Sequence, residues 1–573
     1  MPSNSDIAAA LMRIRTLMEL SGESFYKFMA YERAASTIEN SPPLADLLAD
    51  GTLLQLPGVG KSIASAIQEL LTTGTAEQLD VLQQRYPPTI FEVLGVSGIG
   101  IKTAALLFET YGIGSLADLE RAIENGTLAT APRMGKKTLE KIKRGILAFK
   151  GRQRRTPLGK ALEVAHEVVG YLRAGPPCAR VAYAGSVRRA EATVGDVDIV
   201  CTSLEAPAVI EHFCAWPRAR SVLAEGPTKA AIWLEDGLQI DLRVLPDHLY
   251  GNLLQHFTGS REHNIQLREY AARLGLRVSE NGILNLATGE ATACAEESGV
   301  YAALAMQDIP PELRSGTGEI EAARAGTIPR LVELADLRGD FHMHSTWSDG
   351  VASLDDMIAA ASARGYEYHA MSDHSMSRGR IGLTFDRLRE QRVRIAELSR
   401  PGTRVFCASE VDILPDGSLD FEDEQLAELD FVVASVHSAF DQTPAEMTAR
   451  LIRACENRFV NVIGHPTGRM LERFEGYAFD YDAVFAAAAR TGTALEIDGQ
   501  VKRLDLPPAL ARRAKTFGVT FAVDSDAHDT GQLQNIALAV TQARRAGLEK
   551  TDVLNARPLD EVLAFVARKR EPG

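Results

Sequence analysis

A chain of 573 residues exceeds what one hydrophobic core sustains, so three or four domains are expected. Its 45% hydrophobic and 24% charged content is ordinary for a globular protein, and the lack of any long apolar run excludes a membrane span. The net charge of −14 argues against a polyanionic partner as a sum, but residues 131–160 carry eleven Lys/Arg against one acid, Glu140. Such a run can neutralise phosphates and release their counterions. The N-terminal MPSNSDIAAALMRIRTLMEL lacks the features of a secretory signal. The six cysteines are scattered without a C-x-x-C, which fits a cytoplasmic chain and argues against a cysteine-zinc site.

Residues 1–90 and 91–155 read as two helical domains in which one pattern recurs. Its copies are LPGVGKSIASAIQELL (56–71) and LGVSGIGIKTAALLFETYG (94–112), with a degraded APRMGKKTLEKIKRGI at 131–146. Each is a turn, a small-residue bend and an amphipathic helix, similar to helix-hairpin-helix DNA-binding modules. Gly58, Gly60, Gly98 and Gly100 let the backbone approach a phosphate, and N–H groups at a helix start face an anion. Lys61 and Lys102 stand beside them as further candidates for DNA binding. In the third copy Arg133 replaces the first glycine.

From 156 to 250 the pattern changes to strands. In AGSVRRAEATVGDVDIV (184–200), Asp196 and Asp198 are two apart, so both carboxylates face one side of a strand. A third carboxylate, Asp241, interrupts the apolar run LQIDLRVL. Three carboxylates on adjacent strands repel one another unless cations lie between them. Two Mg²⁺ or Mn²⁺ ions are the expected cofactors there. Residues 251–315 read as mixed helix and turn and contain HFTGSREHNIQLR (256–268), and 316–338 reads as a linker with weak structure.

From 339 to 573, short apolar strands ending in His, Asp or Glu alternate with helical stretches, which predicts a parallel β/α barrel with its site at the strand C-terminal ends. The candidate ligands are His342, His344, Asp349, His374, Glu410, His437, His465, Asp526 and His528. Nine mixed imidazole and carboxylate groups suit Mn²⁺ or Zn²⁺ and could hold up to three ions.

The string G-S-x-R-R…G-D-V-D with a downstream I-D-L-R resembles the nucleotidyltransferase core of family X DNA polymerases, and the likeness extends over nearly the whole chain. It implies a multidomain α+β protein: helical hairpin domains, a nucleotidyltransferase palm with a mixed sheet (156–250), a thumb-like nucleotide-selection domain (251–315) and a distorted β/α barrel. By the same resemblance Asp196 and Asp198 bind both metals, and Asp241 lies near the primer hydroxyl. Ser186, Arg189, the backbone at Gly195 and Arg155 hold the triphosphate. Phe257 and Gly259 face the incoming sugar, and Asn264 and Arg268 touch the nascent base pair. His256 lies where eukaryotic members carry Tyr, and Ala190 where many relatives carry Gly. Ala66 takes the place of their Schiff-base lysine, so little lyase activity is expected.

The nine-residue set resembles the PHP (polymerase and histidinol phosphatase) domain, which implies a metal-dependent 3′-5′ exonuclease or other 3′-end-processing phosphoesterase. LEIDGQVKRLDL (495–506) departs from the common pattern at Asp498, Gln500 and Val501. The expected partners are gapped or primed DNA and dNTPs, with no membrane. A monomer in the cytoplasm, associated with the nucleoid, is expected.

Overall fold

The computed structural model describes residues 2, 4–39, 41, 44–96, 98–132, 134–135, 138–140, 142–143, 146, 155–379, 381–398 and 402–571. Most of the basic run (Arg133, Lys136, Lys137, Lys141, Arg144, Lys150, Arg152, Arg154) therefore lies outside the described residues. The chain forms two compact units, Met1–Gln153 and Arg154–Gly573. Among the described residues no helix is long and apolar enough to cross a membrane.

The first unit is helical. In the first hairpin Gly58 takes φ 78°, Gly60 caps the helix Lys61–Thr73, and Ile63, Ile67 and Leu70 point that helix into the core. The second hairpin repeats this with Gly98 at φ 101°, Gly100 as cap and the helix Ile101–Tyr111. Left-handed backbone at Gly58 and Gly98 is what a side chain there would oppose. Of the degraded third copy, Met134, Ile142 and Ile146 belong to the same core.

The second unit starts with a five-stranded mixed sheet in the order Arg180–Tyr183, Asp196–Thr202, Gln239–Leu245, Lys229–Trp233, Ser221–Glu225. Only Asp196–Thr202 and Gln239–Leu245 pair in parallel. Alternation sorts their side chains: Val197, Ile199, Cys201, Ile240, Leu242 and Val244 bury against the helices Leu158–Arg173 and Ala206–Cys214. Asp196, Asp198 and Asp241 consequently project from the other face. The helices Tyr250–Thr258 and Arg261–Arg273 and a three-stranded antiparallel sheet follow.

Segment 316–338, expected to be a weakly structured linker, carries the helix Glu319–Ala325 and buries Ile320, Ala323, Leu331 and Val332. Glu319 explains the order: it accepts from His263 Nδ1 (2.8 Å) and from the backbone N–H groups of Gly316 and Thr317. The start of the segment that read as a linker, Gly316 and Thr317, is thus tied down by one buried carboxylate.

Residues from 339 onward form seven parallel strands in chain order: Gly339–Asp340, Tyr368–Met371, Arg404–Asp412, Phe431–Ser435, Val462–Ile463, Ala494–Asp498 and Phe521–Asp524. A parallel bridge between Met343 and Ala527 joins the first strand's extension to the last strand's. The interior is plugged by Phe341, Tyr368, Phe406 and Phe431, with Phe341 stacked on Phe431 at 4.4 Å, and by Val562 and Phe565 of the C-terminal helix Leu559–Arg570. Alternation continues upward: Phe406 and Ala408 share an inward face with Glu410 and Asp412, and Ala494 shares one with Glu496 and Asp498. The same pleat that fills the barrel therefore delivers acids to its C-terminal mouth.

Candidate functional site

In the palm, Asp198 pairs in register with Asp241 on the neighbouring parallel strand, two residues after Asp196. Gln239 donates to both Asp241 oxygens at 3.1 and 2.8 Å. Burial, then the carboxylates of Asp196 and Asp241, push Asp198 up to about 7. Burial also raises Asp241, against the hydrogen bond from Gln239. Forcing like charges together in a partly desolvated place favours a bound cation, so the donor set fits divalent metal.

Gly185 makes room for this arrangement: a Cβ on it would lie 1.9 Å from Asp198 Oδ2. Next to it, Ser186 Oγ is buried without a hydrogen-bond partner among the described residues. Arg189 donates to Thr258 O at 2.5 Å, and burial lowers its pKa from the ordinary guanidinium value. Gly259, at φ 67°, leaves Arg189 Nη1 only 3.1 Å from where a Cβ would stand. A cleft of ≈ 580 Å³ is lined by Asp198, Asp241, Lys229, Arg243, Phe257 and Glu280, among others.

The remaining candidates are placed less directly. Gly195 leads into the acid strand, and Arg155 lies beside the segment before it, bonding Thr193 Oγ1 at 2.9 Å and Thr193 O. Asn264 donates to His256 O at 2.8 Å and accepts from Gln255, so its amide joins two helices. Exposed Arg268 donates to Asn264 O through Nε. His256 Nε2 lies 3.8 Å from Glu280.

At the barrel mouth all nine predicted ligands converge. Three groups within them are close enough to share ions: His344, Asp349, His374 and His528; His342, His344 and Asp526; His374, Glu410 and His437. Glu410 is central, with His342 Nε2, His344 Nε2 and His374 Nδ1 at 3.3, 3.5 and 2.9 Å from its Oε2. His437 Nε2 and His465 Nε2 approach its Oε1 at 3.1 and 2.8 Å. Burial opposes charge on Glu410, yet His437, His374 and His342 hold it well below the usual carboxylate range. Buried ring nitrogens of His342, His344 and His374 have no hydrogen-bond partner among the described residues. Unpaired imidazole nitrogens aimed at carboxylates are the donor set of Zn²⁺ or Mn²⁺.

Sequence reading missed the groups that hold these ligands. Glu496 accepts from His342 Nδ1 at 2.6 Å and from His465 N–H at 2.5 Å, and Asp412 accepts from His437 Nδ1 at 2.6 Å. Gln500, noted only as a departure from the common pattern, donates to Asp526 Oδ2 at 2.8 Å. The signal was the period of two: Asp412 follows Glu410, and Glu496 precedes Asp498 on one strand face. Partners of this kind fix imidazole tautomer and orientation.

The hairpin glycines and Lys102 lie in the first unit, with Lys102 exposed on the second hairpin helix. A cleft of ≈ 810 Å³ there is lined by Lys27, Tyr31, Gly58, Gly60, Lys61 and Gln78, among others. Ala66 is buried.

Family models match four stretches of the chain: a helix-hairpin-helix domain (2–76), a SAM-like helix-hairpin-helix tandem (90–146), a DNA polymerase beta thumb (253–315) and a PHP domain (340–498). A DNA polymerase/3′-5′ exonuclease PolX of Bacillus subtilis is 36% identical over 568 residues, covering 98% of this chain and 99% of the relative. DNA polymerase lambda of Arabidopsis thaliana is 27% identical over 49% of this chain and 54% of its own length. A probable phosphatase of Syntrophotalea carbinolica is 28% identical over 40% of this chain and 95% of its own length. The chain belongs to the family X DNA polymerases that carry a C-terminal PHP domain.

Proposed function

We propose that the protein is a template-directed DNA polymerase that fills short gaps during repair, with a 3′-5′ exonuclease or related 3′-end phosphoesterase in the barrel. The observation that carries the polymerase reading is the in-register pair Asp198–Asp241 beside Asp196, with the Gly185–Ser186 turn closed against it. Two Mg²⁺ or Mn²⁺ ions on this triad would lower the barrier for attack by a primer 3′-hydroxyl and stabilise departing pyrophosphate.

The chain's own residues do the positioning. Asp241, oriented by Gln239, faces the primer side. Ser186, Arg189, the Gly195 backbone and Arg155 receive the triphosphate. Phe257 and Gly259 face the sugar, while Asn264 and Arg268 border the base pair. The unpartnered, buried Ser186 Oγ supports a ligand-binding role, because buried hydroxyls are otherwise satisfied.

In the barrel, the nine ligands would hold up to three Mn²⁺ or Zn²⁺ ions, which supply Lewis acidity and activate water for phosphoester hydrolysis. Glu496 and Asp412 orient His342 and His437 for that task. Gapped or primed DNA reaches the protein through the hairpins at Gly58, Gly60, Lys61, Gly98, Gly100 and Lys102. A monomer acting at the nucleoid in the cytoplasm fits these substrates.

Primer extension on a one-nucleotide gap tests the reading. Only the dNTP complementary to the template base should be incorporated, in a reaction abolished by EDTA. Incorporation that ignores the template base would overturn it.

A further inference from the structure

The helix Ile536–Arg545 belongs to the barrel, yet two of its faces have different tasks. Ile536, Ala539, Val540 and Ala543 pack into the barrel's hydrophobic layer, against the strands Ala494–Asp498 and Phe521–Asp524. Leu538, Gln542 and Arg545, spaced four and three apart, form a second stripe that meets the palm. Leu538 packs on the palm core, as does Leu504 of the nearby barrel loop. Gln542 Nε2 donates to Ala190 O at 3.0 Å. Arg545 donates to Arg189 O at 2.6 Å and pairs with Glu191 at 2.8 Å.

Those three consecutive palm residues, 189 to 191, form one turn. Ala190 sits there at φ 55°, a left-handed conformation that its Cβ disfavours. Backbone bonds close the turn locally, from Ala190 N–H to Val187 O and from Glu191 N–H to Ser186 O, both at 3.0 Å. The barrel helix ties the outward-facing groups of the turn, capturing the carbonyls of Arg189 and Ala190 and the carboxylate of Glu191. Glu191 also lies 3.7 Å from Arg189 Nη2, so one carboxylate is shared by the palm arginine and the barrel arginine. Both guanidinium groups are largely buried, at 15% and 14% side-chain exposure, where charge-assisted hydrogen bonds hold geometry best.

We propose that Arg545, with Gln542, is a positioning residue of the polymerase reaction: the phosphoesterase domain holds the Arg189 turn in the form that receives the nucleotide's triphosphate. The proposal rests on the reading of Arg189 as a phosphate-binding residue. It makes the barrel a structural part of the polymerase site as well as the seat of a second activity.

The test is steady-state single-nucleotide gap filling by the full-length chain, with the concentration of the complementary dNTP varied. Arg545→Ala should raise KM for dNTP about tenfold, equivalent to ~1.4 kcal/mol, and leave kcat within about twofold. KM for the gapped DNA should not move, and Arg545→Lys should recover part of the loss. In an Arg189→Ala background, Arg545→Ala should add less than about twofold, since the two act through one group. A residue that only stabilises the fold would lower the active fraction, and thus kcat, without this dNTP-specific pattern. An Arg545→Ala enzyme with wild-type dNTP KM overturns the proposal, as does a fully multiplicative effect with Arg189→Ala. Wild-type dNTP KM in Arg189→Ala alone would remove the underlying reading of Arg189, and the proposal with it. Should Arg545→Ala fail to fold, Gln542→Ala removes the bond to Ala190, besides one to its neighbour Thr541 within the barrel helix: a dNTP KM raised about threefold or more supports the brace, and an unchanged one overturns it.

Discussion

Gly185 and Asp198 are separated by so little space that a methyl group on Gly185 would overlap the Asp198 carboxylate, with its Cβ 1.9 Å from Oδ2. The glycine also holds φ 57°, where an alanine is strained. Gly185→Ala must therefore displace either the turn or the Asp198 carboxylate proposed to hold metal. A shift of about 1 Å at a reacting centre costs on the order of a hundredfold. Gap filling by Gly185→Ala should fall by that much while 3′-end processing continues. Gap filling at wild-type rate would show that the Asp198 carboxylate tolerates the shift.

Glu297 anchors the thumb to the palm. It accepts from Arg188 Nη1 and Nη2 at 2.9 and 2.7 Å and from Arg314 Nη1 at 2.5 Å. Burial opposes its charge, but Arg188 and Arg314 bring its pKa down from 4.5 to about 2. A carboxylate depressed on folding contributes stability that is complete above its unfolded value and is lost as pH falls toward its folded one. The contribution at neutral pH is about 3 kcal/mol. Glu297→Gln should therefore lower the apparent unfolding midpoint at pH 7, and its deficit relative to wild type should narrow below pH 4.5. A deficit that is constant from pH 7 to pH 4 would contradict the assignment.

Lys61 and Ala66 decide whether the first unit can cut an abasic sugar. Schiff-base chemistry needs a neutral amine beside the sugar aldehyde. Ala66 supplies none and is buried, while Lys61 lines the ≈ 810 Å³ cleft together with Lys27 and the hairpin glycines. A lysine at the start of a helix, among backbone N–H groups, is placed to bind a 5′ phosphate. Borohydride trapping on a 5′-deoxyribose-phosphate gap should give little or no covalent adduct, and Lys61→Ala should mainly weaken binding to 5′-phosphorylated gaps. A strong adduct that disappears in Lys61→Ala would make Lys61 the nucleophile instead.

Local patterns carried far in this sequence. Period-two spacing placed Asp196 and Asp198 on one strand face, and strand-end histidines marked the barrel mouth, because each element exposes its chemistry at a fixed point of its own geometry. What stayed hidden depends on distant packing. Glu496 and Asp412 read as unremarked strand acids until the barrel closes around His342 and His437. Segment 316–338 read as a linker because the buried partner of Glu319, His263, lies 56 residues away. Arg545 meets the Arg189 turn across more than half of the chain, and no local spacing could announce that contact.

The central claim is that two metal sites in one chain perform separable reactions on the same DNA end. It is tested most directly by assaying extension and 3′ resection of one gapped duplex with Asp198→Ala and His344→Ala. Each substitution removes one proposed ligand from its own site. Asp198→Ala should lose gap filling and keep 3′ resection, and His344→Ala should do the reverse. Near wild-type primer extension by Asp198→Ala, or unchanged resection by His344→Ala, would contradict the account.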